Sequence, residues 1–124
     1  MKLLLVGWVL FLGQVEDTTI KNIATALKAG SAKELIGLCN QTVEIKIDGE
    51  SSNYSKSQAE VVLKNFFSKN PAKGFVYIHQ GSSPEGLKYN IGKYTHATGS
   101  YRVVMFIKKI GNKYLIDTLN FSKE

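Results

Sequence analysis

The chain has 124 residues, the usual size of one domain with a single hydrophobic core. Hydrophobic residues make up 44% of the sequence and charged residues 21%, which excludes an intrinsically disordered chain. The single cysteine, Cys39, excludes an intramolecular disulfide framework and any multi-cysteine metal site. It stands in an apolar stretch and is predicted to be a buried, inert thiol.

The formal net charge of +6 raises the question of a nucleic acid or another acidic surface as partner. The lysines are spread along the chain, the longest basic run is Lys108-Lys109, and Arg102 is the only arginine. Phosphate recognition usually depends on the forked guanidinium of arginine. The sequence therefore predicts a solvated basic surface and no nucleic-acid partner.

Residues 1–14 have the layout of a secretory signal peptide. Lys2 precedes the apolar run 3–12, which is too short for a permanent membrane anchor because a spanning helix needs about 20 apolar residues. We expect cleavage near Gly13 or Gln14, and hence an exported protein that is periplasmic or secreted. The alternative interpretation is that residues 3–12 form a buried element of the fold.

Three helices are predicted from apolar spacing and capping residues. Apolar side chains recur at helical spacing over residues 17–29, and Gly30 supplies the stop. Residues 31–34 and 55–58 both match the capping box, in which a serine and the side chain three residues later cap the helix reciprocally. They are expected to open a short second helix and a third helix that runs to Phe67.

The rest of the chain has the alternation of β-strands. Residues 43–48 alternate apolar and polar side chains, whereas residues 49–53 are predicted to form a loop. Four further strands are expected at 75–80, 87–97, 101–110 and 113–121, with two-residue turns at Thr98-Gly99 and Gly111-Asn112. Helices separate from a run of strands predict an α+β fold, with the helices packed on one face of a curved antiparallel sheet.

Five segments carry a resemblance to known proteins: ALKAG at 26–30, YSKSQAE at 54–60, FFSKNP at 66–71, HQGSS at 79–83 and YRV at 101–103. With them, the order of elements resembles the nuclear transport factor 2-like fold, a cystatin-like cone in which a bent sheet wraps around three helices. More closely, the chain resembles a family of small exported bacterial proteins of uncharacterised function. The resemblance implies one such domain over residues 15–124. It implies no activity, because relatives include isomerases, dehydratases, transport factors and binding modules.

The sequence contains no motif of established chemistry. A nucleotide-binding loop, a zinc-protease motif and a nucleophile elbow are all absent from it. His79 and His96 are the only histidines, and neither has a metal-ligand spacing with a neighbouring Cys, Asp or Glu. The sequence therefore predicts no metal and no cofactor.

Pairing across the predicted turns sorts the side chains of the last strands onto two faces, with Phe106 opposite Asp117 and Ile91 opposite Phe106. The face predicted to lie under the helices holds Tyr89, Ile91, Val104, Phe106, Leu115, Asp117, Leu119 and Phe121. The other face holds Tyr94, His96, Tyr101, Val103, Met105, Ile107, Tyr114 and Ile116. Both faces are apolar at their centre, and one layer of helices covers only one of them. We therefore expect a homodimer through the exposed sheet face, the alternative being a monomer shielded by its termini.

The candidate ligand-binding residues are Tyr89, Arg102, Asp117 and His79, expected in a modest pocket between helices and sheet that takes a small apolar ligand. One hypothesis is a noncatalytic binding module of the bacterial envelope. A second is an isomerase- or lyase-like enzyme with Asp117 as general base and Tyr89 as donor. A third is a structural or interaction homodimer with a filled cone. A simpler role for Asp117 is an ion pair with Lys108, which is diagonal to it.

Overall fold

The computed structural model describes residues 18–84 and 86–124, so the predicted signal peptide lies outside the described residues. Helix α1 covers the described residues 18–29, α2 covers Ala32–Ile36 and α3 covers Lys56–Lys69. The strands are β1 Cys39–Ile47, β2 Glu50–Ser55, β3 Ala72–Ser82, β4 Lys88–His96, β5 Gly99–Ile110 and β6 Lys113–Lys123. They form one sheet in the order β2-β1-β6-β5-β4-β3, antiparallel except for the parallel pair β1–β6. The predicted α+β class, with three helices on a curved sheet, is confirmed.

The helix ends follow from local hydrogen bonding. Gly30, at φ +62°, ends α1, where its N–H donates to Leu27 O at 3.1 Å and the Ser31 N–H donates to Ala26 O at 3.0 Å. This pair of bonds is a Schellman motif, and it satisfies carbonyl groups that the end of a helix leaves free. Ser31 then caps α2, because its Oγ accepts from the Glu34 N–H at 3.1 Å.

The start of α3 is a complete capping box. The Gln58 N–H donates to Ser55 Oγ at 3.4 Å, and the Ser55 N–H donates to Gln58 Oε1 at 3.2 Å. The helix continues to Lys69, two residues beyond the predicted end and two before Pro71. The predicted starts of α2 and α3 are confirmed, but the reciprocal half of the capping box predicted at 31–34 is not formed, because the Ser31 N–H donates to Ala26 O instead.

The predicted loop at 49–53 was wrong, because residues 50–53 belong to β2 and only Gly49 lies in a turn. Asp48 and Gly49 adopt left-handed φ values of 49° and 90°, so Ile47 pairs with Glu50 across a two-residue turn. Asp-Gly is among the strongest hairpin signals in a sequence. The residues after this turn are all polar, so β2 lacks the apolar–polar alternation by which a strand is recognised. They are polar because β2 is an edge strand whose side chains are almost all exposed.

The predicted turn between β4 and β5 was displaced by one residue. His96 pairs with Gly99, so the turn residues are Ala97 and Thr98. As a result Ile91 lies opposite Val104, and Phe106 lies opposite Tyr89. Moving a two-residue turn by one position shifts the pairing by two residues, which leaves each β4 side chain on its face but changes its partner.

The turn at Gly111-Asn112 is confirmed by the pairing of Ile110 with Lys113, yet a β-bulge follows it. Ile107 pairs with Ile116 while Phe106 pairs with Thr118, so Asp117 is the extra residue of β6. The predicted pair Phe106–Asp117 was therefore wrong by one position. A bulge shifts the alternation of the bulged strand, which moves the later residues of β6 to the opposite face.

We call the helix-covered side of the sheet the inner face and the opposite side the outer face. The predicted assignment of faces was wrong for β4, β5 and the part of β6 before the bulge. The inner face buries Tyr94, Tyr101, Val103, Met105, Ile107 and Ile116, and the outer face holds Tyr89, Ile91, Val104, Phe106 and Leu115. Leu119 and Phe121 were placed correctly under the helices, because the bulge returns them to the inner face. The helices therefore cover the opposite side of β4 and β5 from the one predicted.

Candidate functional site

Asn90 and His96 are the buried polar side chains of the described residues, with 2% and 7% of their surface exposed. Both belong to β4 and face inward. All carboxylates in the described part of the chain lie outside the buried set. The inner face is thus an apolar surface with an amide and an imidazole set into it.

Asn90 lies between Gln80 of β3 and Met105 of β5. Its Nδ2 is buried and has no hydrogen-bond partner. A buried donor without an acceptor costs about 1–3 kcal/mol relative to the solvated group. An oxygen atom brought to this position by a ligand or an ordered water would relieve that cost.

The neighbouring inner positions connect this part of the sheet to α1. The Tyr77 hydroxyl donates to the Ile20 carbonyl at 2.8 Å, and burial raises the pKa of Tyr77 above its usual range. This bond brings the first described turn of α1 onto the sheet beside the Asn90 region. Two residues after Asn90, Gly92 leaves a gap on the inner face that the ring of Phe75 fills.

His96 lies at the opposite end of β4, among aromatic rings. Its ring centroid is 5.5 Å from that of Tyr101 and 6.5 Å from that of Tyr94. Its Nδ1 is 3.4 Å from Thr98 Oγ1, and its Nε2 has no partner. The Tyr94 hydroxyl donates to Asn70 O at 2.6 Å, and burial raises the pKa of Tyr94 to about 12. Rings rather than open space surround this imidazole.

Cys39 is fully buried, as predicted. Its Sγ donates to the Leu35 carbonyl at 3.4 Å. Burial raises the pKa of the thiol to about 12, against a smaller opposing effect of Lys56. A thiol that stays protonated at neutral pH is a poor nucleophile.

The predicted site residues do not lie in the cone. Tyr89, His79 and Arg102 are all on the outer face, and Asp117 stands at the bulge of β6. The structure brings two of them together, since the ring centroids of His79 and Tyr89 are 5.6 Å apart. Their predicted place between helices and sheet was wrong because the helices cover the opposite side of β4 and β5 from the one predicted. Ligand binding by these four residues stays a prediction.

Sequence reasoning missed Asn90. The observation that identifies it is the burial of its partner Met105 under the helices, because the displaced turn changes the partner of Asn90 but not its face. With the faces reversed, the amide lies in the same row as the buried side chains of Met105 and Leu119.

Asp117 forms the predicted ion pair with Lys108. Its Oδ2 is 3.7 Å from Lys108 Nζ, and the two side chains are 32% and 55% exposed. Lys108 alternates with the buried Ile107, so this ion pair is on the outer face. A general base inside the cone at Asp117 is therefore contradicted by its position.

The Asp117→Asn substitution is expected to change the free energy of unfolding by less than about 0.5 kcal/mol, because a solvent-exposed ion pair contributes little. Urea denaturation followed by circular dichroism measures the change. Glu44→Gln is the matched control, since Glu44 is another exposed carboxylate of the sheet. A loss above about 1.5 kcal/mol at Asp117 alone would show a structural role that the exposed geometry does not account for.

Two grooves on the part of the surface that the structure describes are lined by residues other than Asn90. A groove of about 420 Å³ between α2 and α3 is lined by Lys33, Glu60, Lys64 and Phe67 among others. Another of about 480 Å³ is lined by Ser83, Gly86, Leu87, Lys108 and Lys109. Across residues 18–84 and 86–124, no cluster of three or more potential metal ligands occurs, and no helix has the length and apolarity to cross a membrane.

Solved structures share the fold. A protein of the DUF4783 family from Bacteroides ovatus is 35% identical, with a TM-score of 0.79 over 83% of this chain and 93% of that one. An NTF-2 like protein of unknown function from Burkholderia xenovorans is 12% identical, with a TM-score of 0.65 over 90% and 86% of the two chains. A de novo designed protein with a curved β-sheet is 9% identical, with a TM-score of 0.70 over 86% and 98%.

The last two likenesses concern the fold alone, since a designed protein shares it without shared ancestry. No curated protein matches the chain. The model of the domain of unknown function DUF4783 matches residues 20–122, which is most of the sequence. The chain therefore belongs to the DUF4783 family, a family of unknown function, and it has the nuclear transport factor 2-like fold.

Proposed function

We propose that the chain is a noncatalytic binding module of the bacterial envelope that takes a small, mostly apolar molecule against the inner face at Asn90. The observation that carries the proposal is the buried Nδ2 of Asn90, which has no acceptor. A core selected for packing alone is better served by an apolar side chain of the same size. A ligand oxygen at this position accepts a hydrogen bond from the amide. The free-energy cost of the unpaired donor is then relieved only by ligands that carry such an oxygen, which makes binding specific.

The surroundings of Asn90 favour an apolar ligand with one acceptor group. Met105 and Ile107, on the neighbouring strand, are fully buried and offer only apolar atoms. Binding pockets for small molecules have this composition, with few polar groups that fix the orientation of the ligand. The expected ligand therefore carries a carbonyl or carboxylate oxygen on an apolar body.

The chemistry of the inner face supports binding rather than catalysis. Burial raises the pKa of Cys39 and that of Tyr94 to about 12, so both groups stay protonated at neutral pH. The imidazole of His96 lies among rings at the far end of β4, six residues from Asn90. An amide donor without a base beside it orients a ligand but does not abstract a proton from it. Export to the envelope is supported by the leader-like composition of residues 1–14.

Asn90→Leu tests the proposal, because leucine has the same number of side-chain heavy atoms in the same branched arrangement and lacks the donor. We expect the free energy of unfolding of the ligand-free protein to rise by about 1–2 kcal/mol, since the buried amide no longer lacks a partner. Differential scanning calorimetry measures this gain. We also expect at least tenfold weaker binding of dodecanoate, followed by calorimetric titration.

Asn53→Leu is the control, since Asn53 is exposed on β2 and its replacement alters the same atoms far from the inner face. It should leave both the stability and dodecanoate binding close to those of the parent. If Asn90→Leu destabilises the protein and dodecanoate binds parent and variant equally, the amide has an ordinary structural role and the proposal fails.

A further inference from the structure

The outer face of β3–β6 is organised in three rows of side chains that the strand register places side by side. The cation row is Val76, Lys93, Arg102 and Ser122. The middle row is His79, Ile91, Val104 and Asn120. The aromatic row is Gly81, Tyr89, Phe106 and Thr118. Each row is two residues from the next along β4, about 7 Å apart.

Apolar side chains on this face are unusually exposed. Val76 is 61% exposed, and Ile78, at the neighbouring bulge of β3, is 60% exposed. Phe106 is 37% exposed near the centre of the face. Ile91 and Val104 of the middle row lie between them in the register, so these side chains form one apolar surface, and such a surface marks an interaction site.

The charges of the face are segregated. Lys93 lies directly opposite Arg102, and like charges at paired positions repel each other. Among the described residues neither side chain has an ion-pair partner, in contrast to Lys108, which has Asp117. The cation row therefore presents two positive charges that no carboxylate within residues 18–84 and 86–124 pairs with.

The aromatic row presents the complementary chemistry. Tyr89 lies opposite Phe106, and its ring covers the backbone of Gly81, where an added Cβ would collide with it. The same ring lies 5.6 Å from that of His79. The π face of an aromatic ring attracts a lysine or arginine cation placed within about 6 Å of its centre.

We propose that the outer face binds a second copy of this chain, with a two-fold axis that lies between the two sheets and runs along the middle row. This axis makes facing strands antiparallel and stacks the cation row of each subunit on the aromatic row of the other. Lys93 then faces the partner's Tyr89, Arg102 faces the partner's Phe106, and Ile91 packs near the partner's Ile91. Such a patch is self-complementary, as a two-fold interface requires.

The charges select this arrangement over its main competitor. A two-fold axis parallel to the strands would stack each row on its own copy, so Lys93 and Arg102 would face the same two cations. Like charges brought together at an interface cost several kcal/mol, according to measurements on other complexes. The cations thus determine how the two sheets are oriented, while the apolar middle row supplies the buried surface.

Paired substitutions test the proposal in the purified protein by sedimentation equilibrium. The parent is expected to be a dimer. Arg102→Glu removes the cation over the partner's Phe106, and Phe106→Arg sets two arginines against each other, so each variant should dissociate roughly 30-fold more readily. An equimolar mixture of the two variants should form a heterodimer, because glutamate then faces arginine at one contact and the parent pair remains at the other.

Lys64→Glu is the matched control, since it reverses one exposed charge on α3, on the helix-covered side of the molecule, and should leave the dimer intact. Circular dichroism shows whether each variant is folded. A parent protein that stays monomeric at high micromolar concentration would overturn the proposal. An acidic partner would then be the better explanation for the outer face. Variants that dissociate alone but do not associate when mixed would overturn the stacking of the cation row on the aromatic row.

Discussion

Replacement of Phe66 with alanine is expected to lower the free energy of unfolding by about 3–5 kcal/mol. Phe66 is 3% exposed and packs from α3 onto the aromatic side chains of the inner face. Its ring centroid lies 4.4 Å from that of Phe121, 5.0 Å from Tyr101 and 5.7 Å from Tyr94. Alanine leaves a cavity among rigid rings that cannot collapse into it. Because domains of this size are stable by only about 5–15 kcal/mol, urea denaturation at neutral pH should show a much lower midpoint.

Val61→Ala on the same helix is the control for that result. Val61 is 68% exposed, so its truncation should change the free energy of unfolding by less than about 0.5 kcal/mol. The comparison separates the packing of Phe66 from any effect of substitution on the helix itself. Similar losses from the two variants would mean that the ring cluster does not anchor α3.

The helices were predictable because their determinants are close together in the sequence. The capping box of α3 needs only Ser55 and Gln58, and the end of α1 needs only Gly30 and the residues just before it. The tight turn at Gly111-Asn112 is local in the same way. Elements of this kind follow from residue type and spacing before any tertiary contact is known.

The faces of the sheet were not predictable at the same level. The bulge at Asp117 has no sequence signature, and it changes which residues of β6 lie under the helices. The turn at Ala97-Thr98 contains neither Asn-Gly nor Asp-Gly, the dipeptides that most strongly indicate a tight turn. The neighbouring Thr98-Gly99 contains a glycine, and the turn was therefore predicted there. Both faces of β5 are apolar, so alternation could not decide which one the helices cover.

Because the faces were assigned wrongly, the candidate site residues were placed on the wrong side of the sheet. Whether a polar side chain of a strand binds a ligand in the cone or faces a partner depends on the face it occupies, and a slip of one residue reverses the face. Asn90 and Tyr89 are neighbours in sequence, yet one is buried on the inner face and the other lies on the outer face. The residue types were informative about chemistry, but only the register assigned each of them to a surface.

Gly92→Ala is expected to lower the free energy of unfolding by about 2–3 kcal/mol, even though alanine suits a strand better than glycine does. A Cβ at Gly92 would collide with the ring of Phe75 and lie 2.9 Å from the carbonyl oxygen of Val76. Phe75 is 2% exposed and packs edge-on against Tyr77, with ring centroids 5.0 Å apart, so its ring has little room to withdraw. Thermal unfolding followed by circular dichroism measures the loss.

Gly74→Ala, on the adjacent strand, is the matched control because an added Cβ there has no atom within 4 Å. It should leave the stability unchanged or raise it by up to about 1 kcal/mol, since alanine restricts the unfolded chain. A double-mutant cycle with Phe75→Leu identifies the cause of the Gly92 effect. If the collision with the ring is responsible, Phe75→Leu costs at least about 1 kcal/mol less in the Gly92→Ala background than in the parent. Additive effects would assign the loss to the contact with the Val76 backbone, and the ring of Phe75 would then not be what excludes a side chain at position 92.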